Sequence, residues 1–461
     1  MKNLTLENIA RVCGGTYYGP ADKLQEEVMS VITDSRKAEE GCLFVPIVGE
    51  RVDAHKFIPQ VMEAGALATL SERVLDNADF PYIAVESSLQ AVKDIAEFYL
   101  KQLQIPVVGI TGSVGKTTTR EMISTALASQ KRVFQTIGNQ NSQIGVPLTL
   151  SHLTAEDEIA VLEIGMSERG QIEKLTNMIR PNIAVVTMIG VSHIAQLKTQ
   201  ENICLEKMDI VKGLPEDGMV FLNGDDKFLA PYRGKLSHRT FFYGLNKECD
   251  YRAEEVRVRD GQTLFHFYYK DGEAEKNMEV VLGTMGEHNV RNALVALGVA
   301  HQMGLDMEVA AKALSTFHGQ RQQMHTLKSC TLIDDTYNAS PDSMKASISV
   351  LSSMEGVKGR RIAALADMLE LGEKEREYHY EVGKFIAGTQ VDEVAAYGEL
   401  SEEILKGIED NNARIVVKHF ETRGELQEYL LTYVHPDDVL LLKASNGMKL
   451  KEIAEAFLQN E

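Results

Sequence analysis

Apolar residues along this chain recur in two rhythms. Short unbroken apolar runs, the pattern of a strand covered on both faces, alternate with stretches in which apolar residues return every three or four positions, the pattern of an amphipathic helix. Up to about residue 104 the runs are "CLFVPIVG", "ALATLSE" and "YIAVESS", interleaved with helical patterns such as "DAHKFIPQVMEAG". From Ile105 the runs "IPVVGIT", "IAVLEIG", "IAVVTMIG" and "GMVFLNG" are separated by helical segments, which predicts a mostly parallel sheet. Between about 239 and 283 the rhythm shifts to alternation, in "RTFFYGL" and "EEVRVRDGQTLFHFYYKDGEAEKNMEVVL". With Asp260-Gly261 and Asp271-Gly272 at the turns, this predicts an antiparallel insert. Helices are expected around 288–303 and 306–317. From Cys330 five strands follow, "CTLIDD", "RIAALAD", "EVAAYG", "ARIVVKHF" and "DVLLLKA", each trailed by a helix, as in a doubly wound domain. The polar "HGQRQQM" at 318–324 reads as a linker. The expected fold is α/β in three domains: 1–104, an N-terminal α/β domain; 105–318, a P-loop-type, mostly parallel sheet with the antiparallel insert; and 319–461, a doubly wound, Rossmann-like domain.

Composition narrows the class. A chain of 461 residues with 44% hydrophobic and 25% charged residues has material for several cores. The net charge of -19 argues against a nucleic-acid or anionic-membrane surface, each of which needs a basic stripe. A bound anion therefore requires a local cationic site. The five cysteines form no C-x-x-C pair, the N-terminus lacks the apolar core of a signal peptide, and no apolar run approaches a membrane span. A cytoplasmic monomer with free thiols, no membrane insertion and no nucleic-acid partner is expected.

One loop carries chemistry. In "IPVVGITGSVGKTTTREMIS" (105–124), Ile110 stands where the longer G-x-x-x-x-G-K-[ST] pattern has glycine. The tighter Gly112-Ser113-Val114-Gly115-Lys116-Thr117-Thr118 remains, between a strand and a helix. Backbone N–H groups at such a turn point at an anion, glycines allow close approach, Lys116 offsets phosphate charge and the Thr117 hydroxyl suits Mg²⁺. Such a pattern arises by chance in on the order of one in a hundred chains of this length, and the strand and helix around it make a nucleotide triphosphate site the stronger reading. Downstream, "VLEIGM" ends a buried strand on Glu163, a carboxylate that asks for a cation partner. His193 follows another strand in "VVTMIGVSHI", and Lys207 lies on a helix in "ENICLEKMDIVKGL". Each alone would be an ordinary surface or structural residue; the ordered set in one domain is what points to a metal-nucleotide site.

The motifs "GITGSVGKTTTRE", "GNQNSQIGVPLTL", "LEIGM", "GVSH", "EKMDI", "GEHNVRNALVALGVA", "GQRQQM", "DDTYNASPDSMKASI", "ALADMLELGEKEREYH" and "LLKASNGM" resemble the Mur ligases in order and spacing. "TDSRKAEEGCLFVPIVGERVDAHKFI" (33–58) is similar to their substrate-binding block. These are ATP-dependent amide-forming enzymes of bacterial cell-wall synthesis. "TYNASP" resembles the members that add D-alanyl-D-alanine to a UDP-linked muramoyl tripeptide; the D-N-P-x-R motif of those that add the third amino acid is absent. The resemblance implies that the glycine loop and Lys116 hold the β- and γ-phosphates, that Thr117 and Glu163 hold one Mg²⁺, and that His193 and a carbamylated Lys207 serve a second. It places Asn289 and Asn292 at the adenine, and Arg321, Asp335, Tyr337 and Asn338 over the nucleotide. Ser35, Arg36, Asp53 and His55 would hold the UDP-sugar, with Asn139, Asn141 and Ser142 on the path to the reactive carboxylate. Asp367, Glu370 and His379 share a family motif in which domain packing is an equal reading. The chain departs from the pattern at Ala54, Ala366 and Ile194-Ala195.

Two other readings remain open at this level. A nucleotide-binding switch ATPase needs only the loop, and leaves "YNASP" and the last domain without a role. A sibling Mur ligase or a folylpolyglutamate synthetase-like enzyme would share the loop and metal residues.

Overall fold

The computed structural model describes residues 1–49, 51–259, 261–412 and 414–460. Glu50 of the "GERVDAH" stretch and Asp260 of the first expected turn lie outside the described residues. The chain forms two compact units, the first of Met1–Ile110, Lys131–Ala184 and Asp209–Met219, the second of Thr111–Gln130, Val185–Met208 and Val220 to the C-terminus.

In the first unit, β1 (Thr16–Tyr18), β2 (Ser30–Ile32), β3 (Cys42–Phe44), β4 (Ala68–Ser71) and β5 (Tyr82–Ala84) form a sheet in the order β1-β5-β4-β3-β2. Only β1 runs antiparallel to its neighbour. Cys42, Phe44, Ile58, Val61 and Ala66 make its core, so the apolar runs read from the chain are the buried ones. The helix Ser88–Leu103 starts where Ser87 accepts from the Gln90 N–H at 3.3 Å and stops where Gln104 turns left-handed at φ +52°. Beyond it, β6 (Val107–Thr111), β7 (Val133–Gln135) and β8 (Ile159–Glu163) pair in parallel in the order β6-β8-β7. Every residue of β6 and β8 is buried, which is why both read as unbroken apolar runs.

In the second unit, β9 (Ile183–Val186), β10 (Met219–Asn223), β11 (Arg239–Gly244), β12 (Tyr251–Arg259), β13 (Gln262–Asp271) and β14 (Ala274–Leu282) lie side by side in that order. The insert is antiparallel only from β12 onward: β11 meets β12 in parallel, over Tyr243↔Tyr251 and Gly244↔Arg252. Only the end of one strand overlaps the start of the next, so the chain steps sideways instead of reversing. The second expected hairpin is present, with Asp271 opposite Ala274 and Gly272 at φ +63°.

The last sheet has six strands, not the expected five: β15 (Gln323–Thr326), β16 (Thr331–Asp335), β17 (Arg361–Ala366), β18 (Glu393–Tyr397), β19 (Val416–Phe420) and β20 (Val439–Lys443), in the order β15-β16-β20-β17-β18-β19. The extra strand β15 begins inside the stretch expected as linker and runs antiparallel along the edge of β16. Its polar, largely exposed residues carry no apolar rhythm, because only its backbone is used. In the parallel part, Ile333, Ala363, Leu365 and Leu441 join the core on one face, and Leu332, Ile362, Ala364, Leu440 and Leu442 that on the other. Helix starts are capped: Ser340 and Ser343 form a capping box ahead of Pro341–Ser353, as do Thr422 and Glu425 ahead of Arg423–Tyr433.

Candidate active site

The phosphate loop is built by close approach. Gly112 has φ +150°, and a Cβ there would lie 1.8 Å from Thr187 Oγ1. That hydroxyl donates to the Val114 carbonyl at 2.6 Å, and the Ser113 N–H donates to the Met188 carbonyl at 2.8 Å. The segment after β9 thus braces the loop. Gly115, at φ +87°, sits at the N-cap of the helix Lys116–Ala128 with no side-chain cap, and Thr117 and Thr118 are half-buried in its first turn. Lys116 Nζ donates to the Gly112 carbonyl at 2.8 Å, which folds the lysine back over the loop. Behind it, Thr119 Oγ1 donates to Asn292 Oδ1 at 3.0 Å, Asn292 Nδ2 to Asn289 Oδ1 at 3.3 Å, and Asn289 Nδ2 to the Met285 carbonyl at 2.7 Å. Asn289 and Asn292 are both buried, and these bonds brace the loop from the helix Glu287–Gln302.

The second unit brings His193 and Lys207 to this loop. His193 is left-handed, at φ +65°, and its Nδ1 is buried without a hydrogen-bond partner; the nearest carboxylate oxygen, Glu370 Oε2, is 3.9 Å away. Burial, followed by the charges of Lys207 and Lys116, pushes its pKa down to about 4, so the ring is neutral at pH 7. Lys207 is 2% exposed. Burial first and the charge of Lys116 second hold its pKa well below the lysine range, against a smaller opposing effect of Glu206. Both effects weaken its hold on the proton. Among the described residues no group of three or more His, Cys, Asp or Glu side chains could hold a metal. A cation at this place therefore needs hydroxyl, carbamate or phosphate oxygens as well.

Farther along the same unit, the Arg321 guanidinium lies 3.1 Å above the centre of the Tyr337 ring, which is 44% exposed. Asp335 is buried, and its Oδ2 accepts from Ser347 Oγ at 2.5 Å and from Lys443 Nζ at 2.7 Å. Asn338 Oδ1 accepts from the Ala339 N–H at 2.9 Å, while its carbonyl accepts from Lys443 at 3.1 Å. His379 is wholly buried, with Nε2 accepting from the Met368 N–H at 2.9 Å and Nδ1 lying 2.7 Å from the Glu375 carbonyl. Asp367 accepts from the Ser401 N–H at 2.8 Å. Both side chains are spent on packing the last domain.

The remaining candidates lie in the first unit, in separate places. Glu163, 3% exposed at the end of β8, accepts from Asn141 Nδ2 at 2.8 Å, and Gly165 leaves room for that amide. Ser142 Oγ accepts from the Gly145 N–H at 3.1 Å, and the exposed Asn139 accepts at its carbonyl from the Asn141 N–H at 2.8 Å. Around Ser35, the exposed Arg36 guanidinium pairs bidentately with Asp34, at 2.9 and 2.7 Å, and this pairing holds the Asp34 carboxyl down to about 2. Asp53 Oδ1 accepts from the His55 N–H and from Nδ1, at 2.9 and 2.7 Å, and Oδ2 pairs with Arg73; these bonds hold its carboxyl down to about 2. His55 Nε2 accepts from the Glu72 N–H at 3.0 Å, which fixes the ring inside the turn.

Sequence reasoning passed over Thr187, Glu121, Gln322, Ser347, Lys443 and Arg73. For Thr187 the only signal was a hydroxyl at the end of an apolar strand. For Ser347 and Lys443 it was a polar residue inside an apolar pattern. Glu121 and Gln322 lay inside the quoted motifs "GITGSVGKTTTRE" and "GQRQQM" without being singled out, and for Arg73 there was no signal.

Residues 110–300 match the family model described as the Mur ligase middle domain, and residues 320–446 that described as the Mur ligase, glutamate ligase domain. The UDP-N-acetylmuramoyl-tripeptide–D-alanyl-D-alanine ligase of Bacillus subtilis (strain 168) is 38% identical over 99% of this chain and 98% of its own. A crystal structure of MurF from Acinetobacter baumannii superposes with a TM-score of 0.90 at 28% identity, covering 99% of this chain and 98% of that one. The MurF ligase of Thermotoga maritima, solved in complex with ADP, gives a TM-score of 0.81 at 29% identity over 93% and 96%.

Proposed function

This chain belongs to the Mur ligase family, and on that premise we propose that it joins D-alanyl-D-alanine to UDP-N-acetylmuramoyl-tripeptide at the expense of ATP, in peptidoglycan precursor synthesis. The observation that carries the reading is that the buried Lys207 and the orphaned His193 Nδ1 both feel the charge of Lys116 in the glycine loop, a set that makes sense together around a polyanion and its metal. Among the described residues no helix is long and apolar enough to cross a membrane. We place the enzyme in the cytoplasm as a monomer, with domains 1–104 for the UDP-sugar, 105–318 for ATP and 319–461 for closing the ligase site.

In the reaction, a terminal carboxylate oxygen of the tripeptide attacks the γ-phosphorus of ATP. The bond to the ADP oxygen breaks, leaving an acyl phosphate. The D-alanyl-D-alanine amine then attacks the acyl carbon, an amide forms, and phosphate and a proton leave. Lys116 and the loop N–H groups hold the β- and γ-phosphates, and Arg321 offsets charge on the phosphoryl group in flight. Asn289 and Asn292 act by bracing the loop under the adenine. Asp335 and Asn338 act by shaping the turn that carries Tyr337. Ser35 and Arg36 meet the UDP diphosphate, Asp53 and His55 shape the neighbouring turn, and Asn139, Asn141 and Ser142 guide the peptide.

Mg²⁺, when bound, supplies charge that neutralises the phosphate oxygens. Thr117 and Glu163 are the proposed ligands of one ion, and His193 and a carbamylated Lys207 those of a second. The orphaned Nδ1 of His193 and the lowered pKa of the buried Lys207 amine fit this assignment. An uncharged lysine amine adds to CO₂, loses a proton and becomes a carbamate, an anionic oxygen ligand in place of a buried cation. The test is phosphate release by the purified enzyme. It should require ATP, UDP-muramoyl-tripeptide and D-alanyl-D-alanine together. Release with lysine or diaminopimelate on the dipeptide substrate would reassign the chain to the sibling ligase, and release from ATP alone would make it an ATPase.

A further inference from the structure

The backbone around Arg321 is pinned on both sides. Before it, the Gln320 N–H donates to Glu121 Oε2 at 3.2 Å, and Glu121 is a buried residue of the helix that opens at the phosphate loop. After it, the Gln322 amide oxygen lies 3.2 Å from His288 Nε2, and its amide nitrogen donates to Ser347 Oγ at 3.0 Å. His288 belongs to the helix that carries Asn289 and Asn292, and Ser347 to the helix that follows the Tyr337 turn. Ser347 passes the connection on to Asp335, and Asp335 to Lys443, which stands opposite it in the β16–β20 register and also bonds the Asn338 carbonyl. The Gln322 side chain thus ties the helix Glu287–Gln302 to the helix that follows the Tyr337 turn.

Its backbone is unusual too. Gln322 sits at φ +51°, a left-handed conformation that disfavours any residue with a Cβ. A glycine would adopt it freely. A strained residue that spends both ends of its amide on neighbours from two elements is kept for those bonds.

We propose that Gln322 is a positioning residue for phosphoryl transfer, fixing Arg321 over Tyr337 at the distance the transferring group requires. This rests on the role given to Arg321 above. Gln322→Gly separates the two effects, because glycine relieves the backbone while removing the amide. Its melting temperature should match or exceed that of the parent enzyme. Its kcat for ligation should fall by roughly tenfold to a hundredfold, the cost of a misplacement on the ångström scale, while KM for UDP-muramoyl-tripeptide holds. Ser347→Ala, which cuts the same connection from the other end, should fall similarly in kcat. The double variant should fall no further than either single one. Wild-type kcat in Gln322→Gly, or losses that multiply in the double variant, would overturn the inference. If Gln322→Gly does not fold, unchanged kcat in Ser347→Ala overturns it alone. A parent enzyme that releases no phosphate with all three substrates would instead strike the functional reading.

Discussion

Replacing Lys207 separates the two things a buried lysine can do. It is 2% exposed, and burial and Lys116 disfavour it as a cation. A buried polar group left without a partner costs about 1–3 kcal/mol, and a swap that conserves volume costs under about 1.5 kcal/mol. Lys207→Met fills the same space without the amine, so its stability should lie within about 1 kcal/mol of the parent's. Lys207→Ala also removes the stem, and should cost about 2–4 kcal/mol through the cavity it leaves. In phosphate-release assays both should lose on the order of a hundred- to a thousandfold in turnover, the scale for losing one preorganised electrostatic group in a dry site. Acetate or propionate should then restore part of the rate to Lys207→Ala, whose cavity admits a carboxylate, and none to Lys207→Met, whose side chain fills it. Rigorous removal of CO₂ should slow the parent enzyme. Full turnover in Lys207→Met would refute the carbamate, and equal rescue of both variants would refute the placement of its oxygens.

Gly112→Ala should lose at least about 2 kcal/mol in denaturant titration, because the new Cβ displaces Thr187 Oγ1 and breaks its buried bond to the Val114 carbonyl. Parental stability there would contradict the loop geometry. The pKa of His193, held near 4 against an ordinary 6.5, sets a pH dependence in the metal-free enzyme. Above pH 6.5 neither the folded nor the unfolded state binds the proton; between 6.5 and 4 only the unfolded state does. Parental stability should therefore fall relative to His193→Gln across that window, by up to about 3 kcal/mol. A constant difference in melting temperature between pH 7 and 4.5 would count against the burial of the ring.

The parallel strands were legible because a strand covered on both faces must be apolar throughout, and β6, β8 and β20 are buried at every position. The strand β15 was not, since an edge strand spends its backbone and leaves its side chains to solvent. Nor was the parallel overlap of β11 and β12, which depends on where one strand stops beside the next. The strand, glycine turn and helix of the loop were legible, because a turn with Gly112 at φ +150° and Gly115 at φ +87° demands glycine. The supporting shell was not. Asn292 meets Thr119 from 173 positions away, and Lys443 meets Asp335 from 108.

The chain by itself determined its α/β class, its glycine loop and its family, because these follow from short-range constraints: periodicity, turn residues and motif spacing. Tertiary structure decided what each polar side chain is free to do. It committed Asp335 to Lys443, Asp53 to His55 and Asn141 to Glu163, and it left His193 Nδ1 without a hydrogen-bond partner among the described residues. A buried polar group needs a partner brought in by the fold, and that partner's place in the sequence bears no relation to its place in space.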